Sequence, residues 1–303
     1  MVDARIKLRH LQCFLAVAQR RSVQQAAASL SITQPAVSKT LRELEEILGT
    51  RLFDRGRHGA VPTPDGTVFM AHAGAALSAL REGVASLADA RDDSPARLAV
   101  GALPTVAPAL LCDALAVRAP GARPLRVEVV VGPNDELLDR LRRGEVELVV
   151  GRITDPDRLD GLVFEHLRSE PLVLVVRPGH PLLDAGAPLS RIAAHRIVLP
   201  SRGTVIRHTA DGFASANGLP AWRDCVETLS VSLGRGLARS TDAVWFVPLG
   251  AVRDDLSDGT LVRLPVSTAG TDEPLGLTSR AQAVPSAAAR VLIERLRSAA
   301  RAT

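Results

Sequence analysis

Tyrosine is absent from the 303 residues, and the other aromatics are sparse, with six Phe and two Trp. Any ring contact to a ligand therefore falls to those few side chains. Cysteine is nearly absent too. Cys13, Cys112 and Cys225 are spread along the chain, which excludes a disulfide framework and any metal-ligand spacing. Reduced thiols of this kind suit a cytoplasmic protein. No apolar stretch opens the chain, so a signal peptide is not expected. The longest apolar runs, residues 172–176 and 243–252, fall far short of the ~20 residues that cross a bilayer. Catalytic signatures are missing as well. There is no Gly-x-Ser-x-Gly, no His-Glu-x-x-His and no phosphate loop. Gly234-Arg235-Gly236 lacks the third glycine of a dinucleotide fingerprint, the seven histidines are scattered, and His180 in Pro-Gly-His-Pro reads as a turn. Neither enzyme chemistry, nor a bound metal, nor a cofactor is expected.

What is present is a basic front. Residues 1–60 hold ten Lys/Arg against five Asp/Glu, a net of +5, while the whole chain carries +4, so the remainder sums to −1. A polyanionic partner for the front alone is the reading this supports. Within it, Leu11, Phe14, Leu15 and Ala18 recur at helical spacing, with Cys13 beside them on the apolar face. Ser22 stands at an N-cap, and Val23, Ala26, Ala27 and Leu30 repeat the spacing. Ser31-Ile32 breaks the pattern. Thr33 is the next N-cap, with Pro35 tolerated in the first turn. Val37, Leu41, Leu44 and Leu48 line a third helix that Gly49 stops. Pro35, Ser38, Lys39 and Arg42 point away from that stripe, as a recognition helix entering a DNA groove requires. Gly56 and Gly59 bracket Arg57-His58 in what reads as a basic wing. Each helix alone would serve an ordinary three-helix core; the ordered set reads as a winged helix-turn-helix.

Thr63-Pro64-Asp65 opens a long helix to about Arg91. Its apolar positions Met70, Ala73, Leu77, Leu80, Val84 and Leu87 form a heptad seam, on a rod of about 40 Å. A lone helix of that length buries such a seam against a second copy, so a homodimer is expected through it. Residues 92–95 then act as a linker. The remaining two hundred residues alternate strand-like runs (97–103, 125–131, 146–151, 171–176, 196–199, 243–247, 261–264) with helix-like ones (106–117, 136–143, 205–216, 231–239). That alternation argues for an α/β fold with mostly parallel strands, whose strand ends form the natural ligand edge. A final helix, 286–301, is expected to return onto the first half.

The run AAASLSITQPAVSKTLRELEEILGTRLFDR, followed by PTPDG, closely resembles the N-terminal signature of LysR-type transcriptional regulators. The match is dense over residues 8–66; beyond 95 it rests on layout, with local echoes such as GEVELVVGR. The resemblance implies a multi-domain α+β chain. A winged helix-turn-helix would occupy residues 1–63 and a linker helix 64–93. A two-lobed α/β effector domain similar to periplasmic binding proteins would occupy 94–303, with one lobe near 97–170 and 268–303 and the other near 171–267. It also implies dimers of dimers, binding to an inverted-repeat promoter site, RNA polymerase as a further partner, and a small-molecule effector, often a carboxylate. The opening sequence is similar to the subgroup of regulators of protocatechuate catabolism and of a galactose-binding protein. An aromatic-catabolism intermediate is the effector it suggests; a sugar or other metabolite is the alternative. An exported solute-binding protein would leave the basic front without a use.

Carried over residue by residue, the DNA face falls on Ser22, Thr33, Gln34, Pro35, Ser38, Lys39 and Arg42, with Arg55 and Arg57 in the wing. The effector cleft falls on Leu103, Pro104 and Thr105, on Asn134 after Pro133, on Ser201, Arg202, Gly203 and Thr204, and on Ser230 and Val231. Phe246 and Pro248 would close one wall. Free N–H groups at helix starts near Thr105, Thr204 and Ser230 suit a carboxylate, and Arg202 offers a bidentate contact. Each of these polar side chains is equally suited to capping its own helix.

Overall fold

The computed structural model describes residues 3–56, 59–89, 96–117, 124–152, 159–184, 189–220, 222–281 and 283–302. The chain divides into two units, one holding Met1–Ser94, Asp139–Glu145 and Gln282–Ser286, the other Pro95–Leu138, Val146–Ala281 and Ala287–Thr303.

The first unit runs α1 (Leu8–Arg20), α2 (Val23–Ser29), α3 (Gln34–Leu48), a hairpin of β1 (Phe53–Gly56) and β2 (Gly59–Pro62), and α4 (Pro64–Asp89). Ser22 caps α2, its hydroxyl accepting from the Gln25 N–H at 3.3 Å. Ser31 takes a left-handed φ of 55° in the break before α3. Pro35 is the second residue of α3, where no N–H is needed, and Gly49 ends it at φ 70°. The core closes on Phe14, which is fully buried and meets the Phe53 and Phe69 rings at centroid distances of 5.2 and 5.1 Å. The hairpin is pinned to the end of α1 by the Ala60 N–H, which donates to the Arg21 carbonyl at 3.0 Å. A Cβ at Gly59 would stand 2.3 Å from that carbonyl oxygen, at φ +86°, so glycine alone fits there.

The seam of α4 is divided. Ala73 and Leu77 are buried in the core of their own unit, with Met70 packed against it. This corrects the expectation that the whole seam faces a second copy: the first half of the rod already has a surface to cover. Leu80 and Val84, further along, are 49% and 62% exposed. Leu87 at the side-chain level and the linker residues 92–95 lie outside the described residues.

The second unit begins with β3 (Ala96–Ala102), a π-helical turn (Ala107–Leu111) running into α5 (Cys112–Ala116), β4 (Leu125–Val131), α6 (Asn134–Arg142), β5 (Leu148–Arg152) and β6 (Leu162–Glu170). It continues through β7 (Leu172–Val176), α7 (Pro181–Asp184), a 3-10 turn (Leu189–Ala194), β8 (Ile197–Leu199), α8 (Val205–Ala216), β9 (Cys225–Glu227), α9 (Val231–Ser240) and β10 (Val244–Pro248). A second 3-10 turn (Leu249–Val252), α10 (Arg253–Ser257), β11 (Val262–Arg263), β12 (Glu273–Arg280) and α11 (Ala287–Arg301) complete it. Two five-stranded sheets result, in the orders β4-β3-β5-β12-β6 and β11-β7-β10-β8-β9. Both are mixed, which corrects the mostly parallel expectation. β3, β4 and β5 run parallel, as do β8, β9 and β10, but β12 is antiparallel to β5 and β6, and β7 to β10 and β11. The all-apolar β7 and β10 are buried throughout, as strands covered on both faces must be. α11 does return to the first sheet: Ala288, Ala289, Leu292, Ile293 and Leu296 share a core with Leu98, Val100, Leu148 and Leu277.

His180 is fully buried in the turn that the Pro-Gly-His-Pro motif foretold. Its Nδ1 accepts from the Leu182 N–H at 3.1 Å, and Nε2 lies 3.2 Å from the Asp242 carbonyl. That arrangement holds a neutral ring protonated on Nε2. Burial pushes its pKa below the ordinary 6.5, reinforced by His195 and Arg177 and opposed by the Asp242 carbonyl and carboxylate. The unfolded chain therefore binds a proton near pH 6.5 that the folded chain refuses, so stability is lost as pH falls below that value. Urea midpoints should drop between pH 7.5 and 5.5, and the drop should shrink in H180N; equal slopes would overturn this role.

Candidate functional site

α3 presents its polar face outward. Thr33, Gln34, Pro35, Lys39 and Arg42 are exposed and Ser38 is half-buried, while Val37, Leu41 and Leu44 point into the core. The helical period alone places these sets on opposite sides. Thr33 stands at the N-cap without using its hydroxyl as a cap. Arg42 makes a backbone contact, Nε to the Ser38 carbonyl at 3.3 Å. Lys39 Nζ lies 4.0 Å from Glu43, whose carboxylate is already engaged by His10 and by Arg9 at 3.0 Å. Those contacts, His10 first, hold the Glu43 carboxyl below its ordinary range. Ser22 is half-buried at the start of α2. Arg55 pairs with Ala60 in the hairpin; its side chain and Arg57 lie outside the described residues.

In the second unit, a cavity of about 400 Å³ opens between the ends of β3, β5 and β8. Leu103, Pro104, Thr105, Asn134, Ser201, Arg202, Gly203 and Thr204 all line it. Ser230, Val231, Phe246 and Pro248 do not. They surround a much smaller void together with Trp245, and Phe246 is wholly buried in its sheet. Ser230 and Val231 also border an outer hollow beside Pro104 and Pro133. The helix starts are more committed than expected. The Val106 and Ala107 N–H groups both donate to the Leu103 carbonyl, at 2.9 and 3.1 Å. Helix formation there begins only at Ala107, as a π turn. Thr204 caps α8, accepting from the Arg207 N–H at 3.3 Å and donating to the Ser201 carbonyl at 2.7 Å. Ser230 caps α9 in the same way.

The sequence reading missed Arg152, Asp135, Val205, Ile206 and Leu229 in the lining. Arg152 matters most. It ends β5, where an α/β sheet offers its ligand edge, and that was the signal available. Its side chain is 1% exposed and ion-paired with Glu170. Nη1 donates to the Thr105 hydroxyl at 2.9 Å. Glu170 in turn accepts from the Gly250 N–H at 2.7 Å. Burial lowers the Arg152 pKa, against the pull of Glu170 and Glu273; guanidinium stays charged even so. Nε of Arg152 is buried without a hydrogen-bond partner. Thr105, itself 7% exposed, spends an acceptor on Arg152, and its own hydroxyl proton has no recorded acceptor among the described residues. Arg152 and Thr105 thus stand side by side in the cavity wall, and the unpartnered Nε is a costly feature of it.

A winged helix-turn-helix joined to an α/β unit with such a cleft defines a ligand-responsive DNA-binding regulator. The chain belongs to the LysR family of transcriptional regulators. Residues 8–67 match the bacterial regulatory helix-turn-helix protein, lysR family, and residues 91–301 match the LysR substrate binding domain. The HTH-type transcriptional regulator PcaQ of Agrobacterium fabrum is 43% identical over 303 residues, covering 99% of this chain and 97% of that protein. The HTH-type transcriptional regulator YdcI of Escherichia coli K12 is 41% identical over 297 residues, covering 98% and 97%. Among solved structures, ArgP from Mycobacterium tuberculosis superposes with a TM-score of 0.73 at 18% identity, over 96% of each chain, a likeness of fold. No helix among the described residues is long and apolar enough to cross a membrane.

Proposed function

We propose that the protein is a cytoplasmic regulator that grips an inverted-repeat promoter site and is switched by a small carboxylate, such as an aromatic ring-cleavage product. The observation that carries the effector class is the cationic and hydroxyl lining of the cleft, with the exposed Arg202 beside Thr105, Ser201 and Thr204. A carboxylate pairs with that guanidinium and accepts from those hydroxyls, whereas a hydrocarbon does neither. In this reading residues 1–63 form the DNA-binding domain, 64–93 the dimerisation helix and 94–303 the effector domain. Its lobes are about 97–170 with 268–303, and about 171–267. Leu80 and Val84, exposed on α4, supply the seam for a second copy. Two dimers, and RNA polymerase beside them, complete the working assembly.

Ser22, Thr33, Gln34, Pro35, Ser38, Lys39 and Arg42 then face the major groove, with Arg55 and Arg57 along the flanking phosphates. The effector acts through its different affinities for two arrangements of the assembly. A thermal-shift screen tests the effector class. Small carboxylates, ring-cleavage products among them, are expected to raise the melting temperature while their amides do not; a screen in which no carboxylate does so overturns it. Replacing Arg42 with Ala should weaken operator binding by about tenfold to a hundredfold, the scale of one charged DNA contact, and leave the melting temperature unchanged. An unaltered footprint would remove Arg42 from the interface.

A further inference from the structure

Arg202 and Arg207 flank the same turn but are held in opposite ways. Arg207 lies in the first turn of α8, is 7% exposed, and is anchored three times over. Its Nε reaches both oxygens of Asp211 at 2.8 and 2.9 Å, and its Nη1 reaches the Pro200 carbonyl at 3.1 Å and Glu227 at 2.9 Å. Arg202 lines the cleft with a side chain 80% exposed. Its one recorded partner among the described residues is the same Glu227 oxygen, at 3.1 Å from Nε. Glu227 ends β9 and is not part of the cavity wall. Arg207 first, and Arg202 second, hold its carboxyl below the ordinary range, so it is a standing anion. Neutralising Glu227 would leave Arg207 with Asp211 and Pro200 but would leave Arg202 without an ion-pair partner among the described residues.

Building on the carboxylate reading of the cleft, we propose that Glu227 sets the affinity and charge selectivity of the site by holding Arg202 as an internal stand-in for the effector's carboxylate. An arriving carboxylate takes Arg202 over from Glu227, exchanging one ion pair for another. A neutral ligand has no such exchange to make. The handover also frees the turn from Ser201 to Thr204, which carries a left-handed Gly203 at φ +79° and the cap of α8. An ion pair this exposed is worth a factor of about two to five in an equilibrium constant, weak enough for a ligand to displace.

Isothermal titration of the full chain tests this, with sodium benzoate and sodium succinate as probes and benzamide as the neutral control. E227Q is expected to tighten both carboxylates by about two- to fivefold, the worth of the released pair, and to leave benzamide unmoved. D211N removes a charge of the same sign beside Arg207 without touching Arg202, and should not alter either carboxylate. R202M should weaken both, and adding E227Q to it should change nothing further. Unchanged carboxylate affinity in E227Q overturns the handover. So does an equal gain in D211N, which would reduce the effect to general electrostatics, or a gain from E227Q that persists beside R202M. Carboxylate binding by the wild type alongside any of those results leaves the cleft reading standing. Absence of carboxylate binding in every form, by titration and by thermal shift, overturns both.

Discussion

Arg152→Met should cost the second unit about 3–5 kcal/mol, because it strands the buried carboxylate of Glu170 without its cation. Methionine has a comparable reach and no charge, so the loss measures the pair rather than a void. Glu170 would keep the Gly250 N–H and a longer contact to Arg168, at 3.7 Å, which limits the damage to the charge itself. The paired replacement, Arg152→Met with Glu170→Leu, should recover most of the loss, since two apolar groups leave no ion behind. Chemical denaturation of the three variants gives the coupling energy directly. A single Arg152→Met variant as stable as the wild type would show that Arg152 contributes no net pairing energy. The effector arm of the experiment is separate, since carboxylate titration of the double variant should show weakened binding even where folding is restored.

Phe14→Ala is the counterpart in the first unit, expected to cost about 3–5 kcal/mol. Phe14 is wholly buried between Phe53 of the hairpin and Phe69 of α4, so one truncation loosens three elements together. DNA binding should vanish at temperatures where the second unit remains folded. Phe14→Leu should cost distinctly less, because it refills part of the space. Limited proteolysis across a temperature series separates the units, and equal resistance of wild type and Phe14→Ala around residues 8–62 would sink the prediction.

The first unit was legible because its signals are local. A cap at Ser22, a proline in the first turn of α3, a stop at Gly49 and a proline opening α4 each act within a few residues of themselves, and each does so in the fold. The seam of α4 was half legible: the heptad spacing is real, yet spacing does not say which partner covers it, and Ala73 and Leu77 found theirs at home. In the second unit β6, β9 and β12 were missed. β12 carries Glu273, Thr278 and Arg280, all buried, and such residues read as surface until distant partners satisfy them. Arg152 was missed for the same reason. Its carboxylate partner, Glu170, lies 18 residues on, and Thr105 lies 47 residues back. The cleft segments at Leu103–Thr105 and Ser201–Thr204 were legible because each follows a strand end. Phe246 and Pro248 were placed in the wall as the resemblance implied; in the fold they are buried residues of β10 that border a small void beside Thr105, Ser230 and Val231.

The scarcity of aromatics has an optical consequence. Both tryptophans, Trp222 and Trp245, sit in the second unit, Trp222 with its ring 6.0 Å from Phe246 and Trp245 against Gly234. The first unit holds phenylalanine only, and the chain has no tyrosine. Light absorbed near 295 nm therefore excites the effector half alone, while the DNA-binding half stays dark. A single tryptophan introduced near the wing would add a reporter in the other half, read as the difference between that variant's emission and the parent chain's.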